Sequence, residues 1–487
     1  MSLRKKTLSG VAWTFGQQVG VQSINFIIQI ILARLLLPEA FGLIAMIQIF
    51  MAIGQTLMDG GMTSSLIRTK DPDQADYSTV FFINLFASIG LYVLLFFAAP
   101  FIASFFNQEL LTLIIRVYTL SFVIQALVGV QTTRLTKEMN FKLQMYMQIP
   151  STLLGGIVGV VLAYKGYGVW SLVWMQLTVS FLFMLQHWFR TDWRPSFIID
   201  GEKFKFHFIF GYKLTFSALL TAVYTNSYTL VIAKMFSAAQ LGFYNQANTL
   251  RMYPVRNLTV ALQKVTYPLF SSIQDDDLKL KRVFKKITQV VFYIIYPVML
   301  VLILIAEPLF RFILTEKWLP AVPYFQILCI AAIVYPLSMY NLNIILAKGR
   351  SDLHFKLEVL KKGGSVLFLL LIIPFGIWGA VYASAISMFI HAFVNSYYSG
   401  RLIGYPLAEQ IKDLFSIIII GLFSFVLTLG ILVFLLNNII KHDFLLVAIV
   451  SILLLFSYIL VSFIFNIQSL KEIISLIKKV LRKVKSI

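Results

Sequence analysis

The sequence is poor in charged residues, and in acidic residues most of all. Charged residues make up 13% of the 487 residues, whereas about 25% is usual in a soluble protein. Asp and Glu number 21 against 41 Lys and Arg, hydrophobic residues reach 59%, and the mean hydropathy is +0.84. This composition excludes a large soluble domain and predicts a polytopic helical membrane protein. Strand-type alternation is also lacking, which argues against an outer-membrane barrel.

Cysteine and the common catalytic motifs are equally scarce. Cys329 is the only cysteine, so no disulfide or zinc framework is expected. The sequence has no G-x-x-x-x-G-K-[ST], H-E-x-x-H or G-x-S-x-G motif, which argues against an ATPase, a zinc protease and a serine hydrolase. The basic start, residues 4–6, is followed by no small-residue cleavage site, so we expect no cleaved signal peptide. We therefore expect neither an enzyme nor a bound cofactor or metal.

Long apolar runs dominate the chain. A bilayer crossing needs about 20 mainly apolar residues. If the N-terminus is placed inside, most Lys and Arg lie in the loops on the inner side of the membrane. That asymmetry predicts cytoplasmic N- and C-termini and accounts for the net charge of +20 without nucleic acid, which we do not expect as a partner. We predict about 14 spans, at residues 11–37, 41–66, 78–104, 110–133, 146–164, 167–189, 208–236, 239–268, 288–314, 319–346, 357–374, 377–399, 411–436 and 444–466.

An internal repeat divides the chain into similar halves. Ala33-Arg34-Leu35-Leu36 with Gly42 matches Ala233-Lys234-Met235-Phe236 with Gly242, and residues 141–143 and 168–170 recur in order at 355–357 and 376–378. Parallel repeats of this kind are typical of transporters, with the substrate path between the halves. We predict an all-α protein with two parallel six-helix repeats plus two C-terminal helices. The predicted domains are an N-terminal lobe at 1–190, a cytoplasmic linker at 191–213, a C-terminal lobe at 214–402, two additional helices at 403–468 and a basic amphipathic cytoplasmic tail at 469–487.

Polar residues form a stripe along the first span. Thr14, Gln18, Gln22, Asn25 and Gln29 share one helical face. Amides that face lipid would remain unsatisfied, so the stripe faces either other helices, as hydrogen-bonding glue, or a water-filled cavity. We favour the cavity.

Cations inside the spans point to an anionic ligand. Arg251 and Arg256 lie on one arc of the eighth span together with Asn245 and Asn248, and an Arg at mid-bilayer costs about 2.5–3.5 kcal/mol on insertion scales. The alternative is that they pair with acids or helix ends. Lys264 on the same span, and Arg34 with its repeat equivalent Lys234, could equally snorkel to the interface.

Asp59 is the only acid well inside a predicted span. A lone intramembrane carboxylate can bind a coupling proton or sodium ion, or form a structural ion pair with a cation. Both interpretations remain open from the sequence.

Several blocks resemble a known family. Residues 6–13, Ala33-Arg34-Leu35-Leu36-Leu37-Pro38 with Phe41-Gly42, Asp59-Gly60-Gly61, Asn140-Phe141-Lys142 and Gly166-Tyr167-Gly168-Val169-Trp170-Ser171 look like blocks of the Wzx-type polysaccharide flippases. The likeness is to the WzxC/TuaB-like exporter branch of the MATE-like multidrug/oligosaccharidyl-lipid/polysaccharide (MOP) superfamily. It extends over the whole chain and is densest in the first 200 residues.

The resemblance implies a function and a substrate. A flippase of this kind moves an undecaprenyl-diphosphate-linked oligosaccharide from the inner to the outer leaflet of the bacterial cell inner membrane by alternating access, for lipopolysaccharide or another envelope polysaccharide. A proton, a sodium ion or the membrane potential would drive it, and a polymerase, a co-polymerase and membrane lipids would be its other partners. By position, the matching pyrophosphate ligands are Arg251, Arg256, Lys264 and Arg34. The sugar and cavity-lining candidates are Gln18, Gln22, Asn25, Tyr224, Asn226, Tyr228, Asn245 and Asn248.

Other functions remain as alternatives. A lipid II flippase would share the fold and a cationic cavity, whereas a multidrug exporter would need more intramembrane acids than this chain has. A membrane-embedded polymerase or ligase belongs to a different class, and it would show a large outer loop and no parallel repeat.

Overall fold

The computed structural model describes residues 3–433 and 442–485, with the side chains of 3–12, 256–258, 260–265, 476–477 and 479–485 excepted. The described chain is almost entirely helical, and it contains no β-strand. The helices are α1 Leu3–Leu35, α2 Pro38–Asp59, α3 Met62–Arg68, α4 Gln74–Phe106, α5 Leu110–Tyr118, α6 Leu120–Lys137, α7 Phe141–Tyr164, α8 Val169–Arg190, α9 Gly201–Met235, α10 Ala238–Ser272, α11 Asp277–Leu304, α12 Ala306–Ile313, α13 Val322–Ala332, α14 Tyr335–Ala347, α15 Ser351–Ile372, α16 Gly376–Leu402, α17 Leu407–Ile431, α18 Asp443–Ile464 and α19 Gln468–Lys485.

The predicted fold class is confirmed, but the number of spans is not. In the described part of the chain, 12 segments are long and apolar enough to cross a membrane. One of them, Ser351–Leu402, contains both α15 and α16. Helix α10 has 35 residues but is not among the 12, because Asn, Gln and Arg interrupt its apolar sequence.

Some predicted spans are interrupted rather than continuous. The span predicted at 41–66 ends as α2 at Asp59, because Gly60 and Gly61 both take left-handed backbone angles (φ 54° and 69°), which glycine adopts without strain. The short helix α3 follows. The span predicted at 110–133 is divided into α5 and α6 at Thr119, and the span at 288–314 into α11 and α12 at Ile305.

The chain forms two compact units, residues Met1–Gly242 and Phe243–Ile487. This division differs from the predicted domains, in which the second lobe begins at 214. In the first unit α1 packs on α7, α7 on α8, α4 on α6, and α9 along α2. Helix α9 therefore belongs with the first unit although its sequence repeats α1.

The predicted linker at 191–213 is extended chain only as far as Asp200. The Asp200 carboxylate accepts hydrogen bonds from the backbone amides of Glu202 and Lys203 and so caps α9, which begins at Gly201. Upstream, the Trp193 indole donates to the Gln74 side chain at 2.7 Å. Residues 201–213 are thus helical, and the connecting segment before them is hydrogen-bonded to the start of α4.

Helix packing inside the first unit depends on glycine. Gly42 of α2 lies against the carbonyl of Ala238, and its repeat equivalent Gly242 lies against the carbonyl of Pro38. The contact is reciprocal, since Gly242 and Ala238 lie 200 positions after Gly42 and Pro38. Near the opposite end of α2, Gly61 and Gly211 meet in the same way, backbone to backbone. Small residues allow this close approach of helices in membranes.

The second unit has an apolar core around α11. Tyr293, Tyr296 and Leu300 pack with Ile417 of α17 and Leu454 of α18. Helices α17 and α18, the two additional helices predicted at 403–468, therefore contribute directly to this core. Helix α19, which lies in the predicted amphipathic tail, packs on α11, where Glu472 forms an ion pair with Lys286 at 3.0 Å.

We predict that Gly211→Ala lowers the melting temperature of the purified protein, whereas Gly90→Ala does not. An added Cβ at Gly211 would meet the carbonyl of Gly60, whereas Gly90 has open space around it. Both changes favour the helix by up to about 1 kcal/mol, but overpacking costs roughly 1–3 kcal/mol only at Gly211. Thermal unfolding in detergent measures the difference, and equal shifts for the two variants would show that the α2–α9 contact is loose.

Candidate functional site

The polar stripe of α1 lies on the side of the helix that faces away from α7. Gly20 and Ile28 meet Ile149 and Gly156 of α7, and at 100° per residue this face lies well over 90° from the stripe. In the first unit, Gln18 and Asn25 are exposed and Gln22 is half-buried. Gln18 and Asn25 are therefore open to water or a ligand rather than packed within this unit.

The other predicted residues of the first unit are Arg34, at the C-terminal end of α1, and three residues of α9. Arg34 is exposed in the last turn of α1. On α9, Tyr224 and Tyr228 are half-buried, and the Asn226 amide donates to the carbonyl of Ala222 at 2.8 Å. That bond within the helix leaves the Asn226 side-chain oxygen as an acceptor.

Arg251 is buried in the second unit. Its side chain donates to the Asn248 oxygen from Nε at 3.0 Å and Nη2 at 2.8 Å, and to the Leu328 carbonyl from Nη1 at 3.0 Å. Only 5% of the residue is exposed. Leu328 lies four residues before the end of α13, so the guanidinium is close to the negative end of that helix dipole. In this conformation, its hydrogen bonds to Asn248 and Leu328 hold Arg251 inside the unit.

The neighbours of Arg251 on α10 are only partly described. Asn245 and Asn248 are half-buried, and Asn248 is already an acceptor for Arg251. The side chains of Arg256 and Lys264 lie outside the described residues. Of the predicted anion ligands, the structure thus describes the side chains of Arg251, which is buried, and Arg34, which is exposed.

Asp59 ends α2 at the glycine turn. Its Oδ1 accepts a hydrogen bond from the Thr63 hydroxyl at 2.6 Å. Among the described side chains, no Lys or Arg pairs with this carboxylate. The ion-pair alternative is therefore not formed in the described part of the molecule, although a proton or cation remains compatible with the geometry.

A buried Ser–His–Asp cluster in the first unit was missed by the sequence analysis. His207 Nε2 lies 3.2 Å from Asp76 Oδ1, and His207 Nδ1 lies 2.8 Å from the Ser65 hydroxyl. Because the ionised carboxylate only accepts, Nε2 carries the proton and Nδ1 accepts from Ser65. These residues are at most 3% exposed, so no substrate can reach the serine.

The cluster has a structural role that extends to the surface of the unit. Lys203 forms ion pairs with Asp76 at 3.0 Å and Asp73 at 3.1 Å. The backbone amide of Asp76, together with Lys203, holds the pKa of Asp73 below its ordinary value. The cluster thereby fastens the first turns of α9 to α3 and α4.

A largely buried ion pair lies in the second unit. Because α15 begins at Ser351, Glu358 and Lys361 lie within a helix rather than at its start. The Lys361 ammonium contacts Glu358 at 2.6 Å and the Asn395 side-chain oxygen at 2.8 Å. The nearby His391 imidazole lies 2.8 Å from the Ser365 hydroxyl. The i, i+3 spacing of Glu358 and Lys361 was the sequence signal for this pair.

Comparison with known proteins identifies relatives over most of the chain. The family described as polysaccharide biosynthesis protein matches residues 31–323. The lipopolysaccharide biosynthesis protein WzxC of Escherichia coli (strain K12) is 27% identical over 368 residues, or 74% of each chain. The teichuronic acid biosynthesis protein TuaB of Bacillus subtilis (strain 168) is 24% identical over 73% of this chain and 74% of its own.

A solved structure confirms the fold. The structure of lipid II flippase MurJ in an inward closed conformation aligns with a TM-score of 0.72 and covers 94% of this chain and 98% of its own. The sequence identity is 15%, so this likeness concerns the fold alone.

We predict strong coupling between Asn248 and Arg251 in a double-mutant cycle. Asn248→Leu removes the acceptor of a buried cation, which should lower stability by about 1.5–3 kcal/mol. In an Arg251→Met background the same change should cost much less, because no buried charge is left without its acceptor. Melting temperatures of the parent, both single variants and the double variant measure the coupling. Additive shifts would mean that the guanidinium does not depend on Asn248.

Proposed function

Because this chain belongs to the polysaccharide biosynthesis protein family, matched over residues 31–323, we propose that it flips a lipid-linked oligosaccharide across the membrane. The cargo is an undecaprenyl-diphosphate-linked repeat unit of an envelope polysaccharide. It moves from the inner to the outer leaflet of the bacterial cytoplasmic membrane by alternating access. The protein acts as a secondary transporter and not as an enzyme, and its N- and C-termini are cytoplasmic.

One observation in the structure carries this proposal: Gln18 and Asn25 of α1 are exposed. A membrane-spanning helix that presents Gln18 and Asn25 away from its packing partner would be costly in hydrocarbon, where unsatisfied amides cost several kcal/mol. Sugar hydroxyls both donate and accept hydrogen bonds, as amides do. The stripe therefore suits a carbohydrate passing through a hydrated path.

The diphosphate requires cations, and the different burial of Arg34 and Arg251 supports different roles for them. Arg34 is exposed and can contact the ligand directly; Arg256 and Lys264 are the other direct ligands in the proposal. Arg251 is held by Asn248 and Leu328, so it contributes positive potential and positions α10. A cation in a low-dielectric site acts over several ångströms without direct contact.

Coupling is assigned to Asp59. A carboxylate at the end of α2 that has a hydroxyl donor and no paired cation among the described residues can take up a proton or a sodium ion. A polymerase and a co-polymerase would use the flipped product on the outer face. The basic helix α19 would rest on anionic lipids of the inner leaflet.

Deletion of the gene should trap the cargo on the inner face. We predict that lipid-linked oligosaccharide accumulates in the cytoplasmic leaflet while surface polysaccharide disappears, because synthesis continues without translocation. Leaflet-specific enzymatic labelling of the extracted glycolipid measures this, and re-expression of the wild-type chain provides the control.

A different distribution would exclude flipping. If the glycolipid reached the outer leaflet but remained unpolymerised, the protein would act in polymerisation or ligation instead. If no glycolipid accumulated on either face and surface polymer persisted, the cargo would not be a lipid-linked oligosaccharide.

Neutralising two of the proposed diphosphate ligands should stop export without loss of protein. We predict that Arg34→Gln combined with Arg256→Gln lowers surface polymer at least tenfold, because each phosphate contact to a cation is worth more than about 1.4 kcal/mol. Lys165→Gln, at an exposed lysine after α7, is the matched control and should export normally. Surface polymer is quantified alongside the level of the protein in the membrane. Normal export by the double variant would exclude these two arginines as ligands of the diphosphate.

A further inference from the structure

The first unit contains an open cavity that none of the predicted sugar-binding residues lines. It has a volume of about 700 Å³ and lies among α2, α3, α4, α6, α7, α8 and α9. Of the functional side chains predicted from the sequence, only Asp59 lines it. All of its lining belongs to the first unit.

The cavity wall is rich in amides and lacks cations. The amides come from different helices, and no Lys, Arg or His is among the lining residues described. They are Gln55, Asn84, Gln125, Gln148 and Gln176. Amides converging from separate helices are costly in a membrane unless they bind something polar.

At least one of these amides is buried without a partner. Asn84 is 4% exposed, and its Oδ1 has no hydrogen-bond partner among the described atoms. Gln125 and Gln176 are half-buried on the same wall. Because buried polar groups are nearly always satisfied, the Asn84 oxygen indicates a hydrogen-bonding occupant in the cavity.

The hydroxyl groups of the wall make it rich in acceptors. Thr56, Thr132, Thr133 and Thr215 each donate to a carbonyl one turn earlier in their own helix, at 2.8–3.1 Å. Their oxygen lone pairs therefore remain available. With the carboxylate of Asp59 also present, the wall suits O–H donors and disfavours a diphosphate.

The size of the cavity favours a saccharide over an ion. A volume near 700 Å³ lies within the range of about 300–1,000 Å³ of small-molecule sites, and it would hold roughly 20 water molecules at about 30 Å³ each. A single cation needs only one coordination shell. No group of three or more His, Cys, Asp or Glu that could hold a metal occurs among the described residues.

We propose that this cavity binds a neutral mono- or disaccharide portion of the transported glycolipid. The inference rests on the proposed function and assigns the sugar to the first unit, apart from the cations that hold the diphosphate. The amides donate to and accept from the sugar hydroxyls, the threonine oxygens accept, and Phe183 supplies an aromatic face. The cavity therefore contributes to the choice of sugar.

Binding to the full chain in lipid nanodiscs tests the proposal. The probe is the oligosaccharide released by mild acid from the glycolipid that a deletion strain accumulates, and undecaprenyl diphosphate without sugar is the second probe. The test variants are Gln125→Met with Gln176→Met, and separately Asn84→Leu, all close in volume to the native residues. Gln326→Met is the matched control, since it removes a second-unit amide that donates to the Ile303 carbonyl at 3.0 Å.

We expect the cavity variants to bind the oligosaccharide about tenfold more weakly, because each loses one or more hydrogen bonds to the sugar. Their affinity for undecaprenyl diphosphate and the affinities of the control should not change. Equal oligosaccharide affinity in the wild type and the cavity variants would overturn the proposal, as would an equal loss in Gln326→Met.

A conservative substitution provides a second test that does not depend on correct folding of the amide variants. Ser64→Cys introduces a thiol at an exposed lining position, and Cys329, the only native cysteine, is buried. The oligosaccharide should slow maleimide labelling of this thiol severalfold, whereas undecaprenyl diphosphate should not. Labelling that is unaffected by the oligosaccharide, or slowed equally by the sugar-free lipid, would count against a saccharide site.

The outcomes separate this proposal from the function on which it rests. If the deletion strain accumulates no lipid-linked sugar, the proposed function fails and the saccharide site fails with it. If glycolipid accumulates on the inner face but the cavity variants bind its sugar normally, flipping stands and only the cavity assignment is wrong.

Discussion

The constraint that governs this molecule is the cost of a polar group in hydrocarbon. An amide or cation on a membrane-spanning helix must find a partner, reach water or meet a ligand. The buried groups that are paired, such as Lys361 with Glu358 and Asn395, hold helices of one unit together. The groups without internal partners, such as Asn84 on the cavity wall, are the ones available for function.

The same constraint explains why residues of one chemical type differ in role. Arg251 satisfies its charge with Asn248 and a carbonyl near the end of α13, so its burial is tolerated without an acid. Arg34, in the last turn of α1, remains exposed. One arginine is thus structural and the other is a potential ligand. This distinction depends on long-range packing and not on residue type.

The sequence repeat predicted the order of the helices well. Helices α1 and α9 end at Leu35 and Met235, and α2 and α10 begin at Pro38 and Ala238, as the matched blocks require. The turns repeat as well, since Gly168 and Gly376, which precede matching helices, both have positive φ. Helix breaks at Thr119 and Ile305 were not predicted, because neither Gly nor Pro marks them.

Prediction of the site was less complete for a physical reason. Periodicity identified the α1 stripe because neighbours on one helical face are close in sequence. The Ser65–His207–Asp76 cluster and the amide-lined cavity join residues that are far apart in the chain, and no local pattern encodes such contacts. Packing of α9 against α2 near Gly61 and Gly211 contributes to both features, since it brings His207 to Ser65 and places Thr215 on the cavity wall. A close contact between two glycines therefore helps to bring polar side chains from distant parts of the chain together.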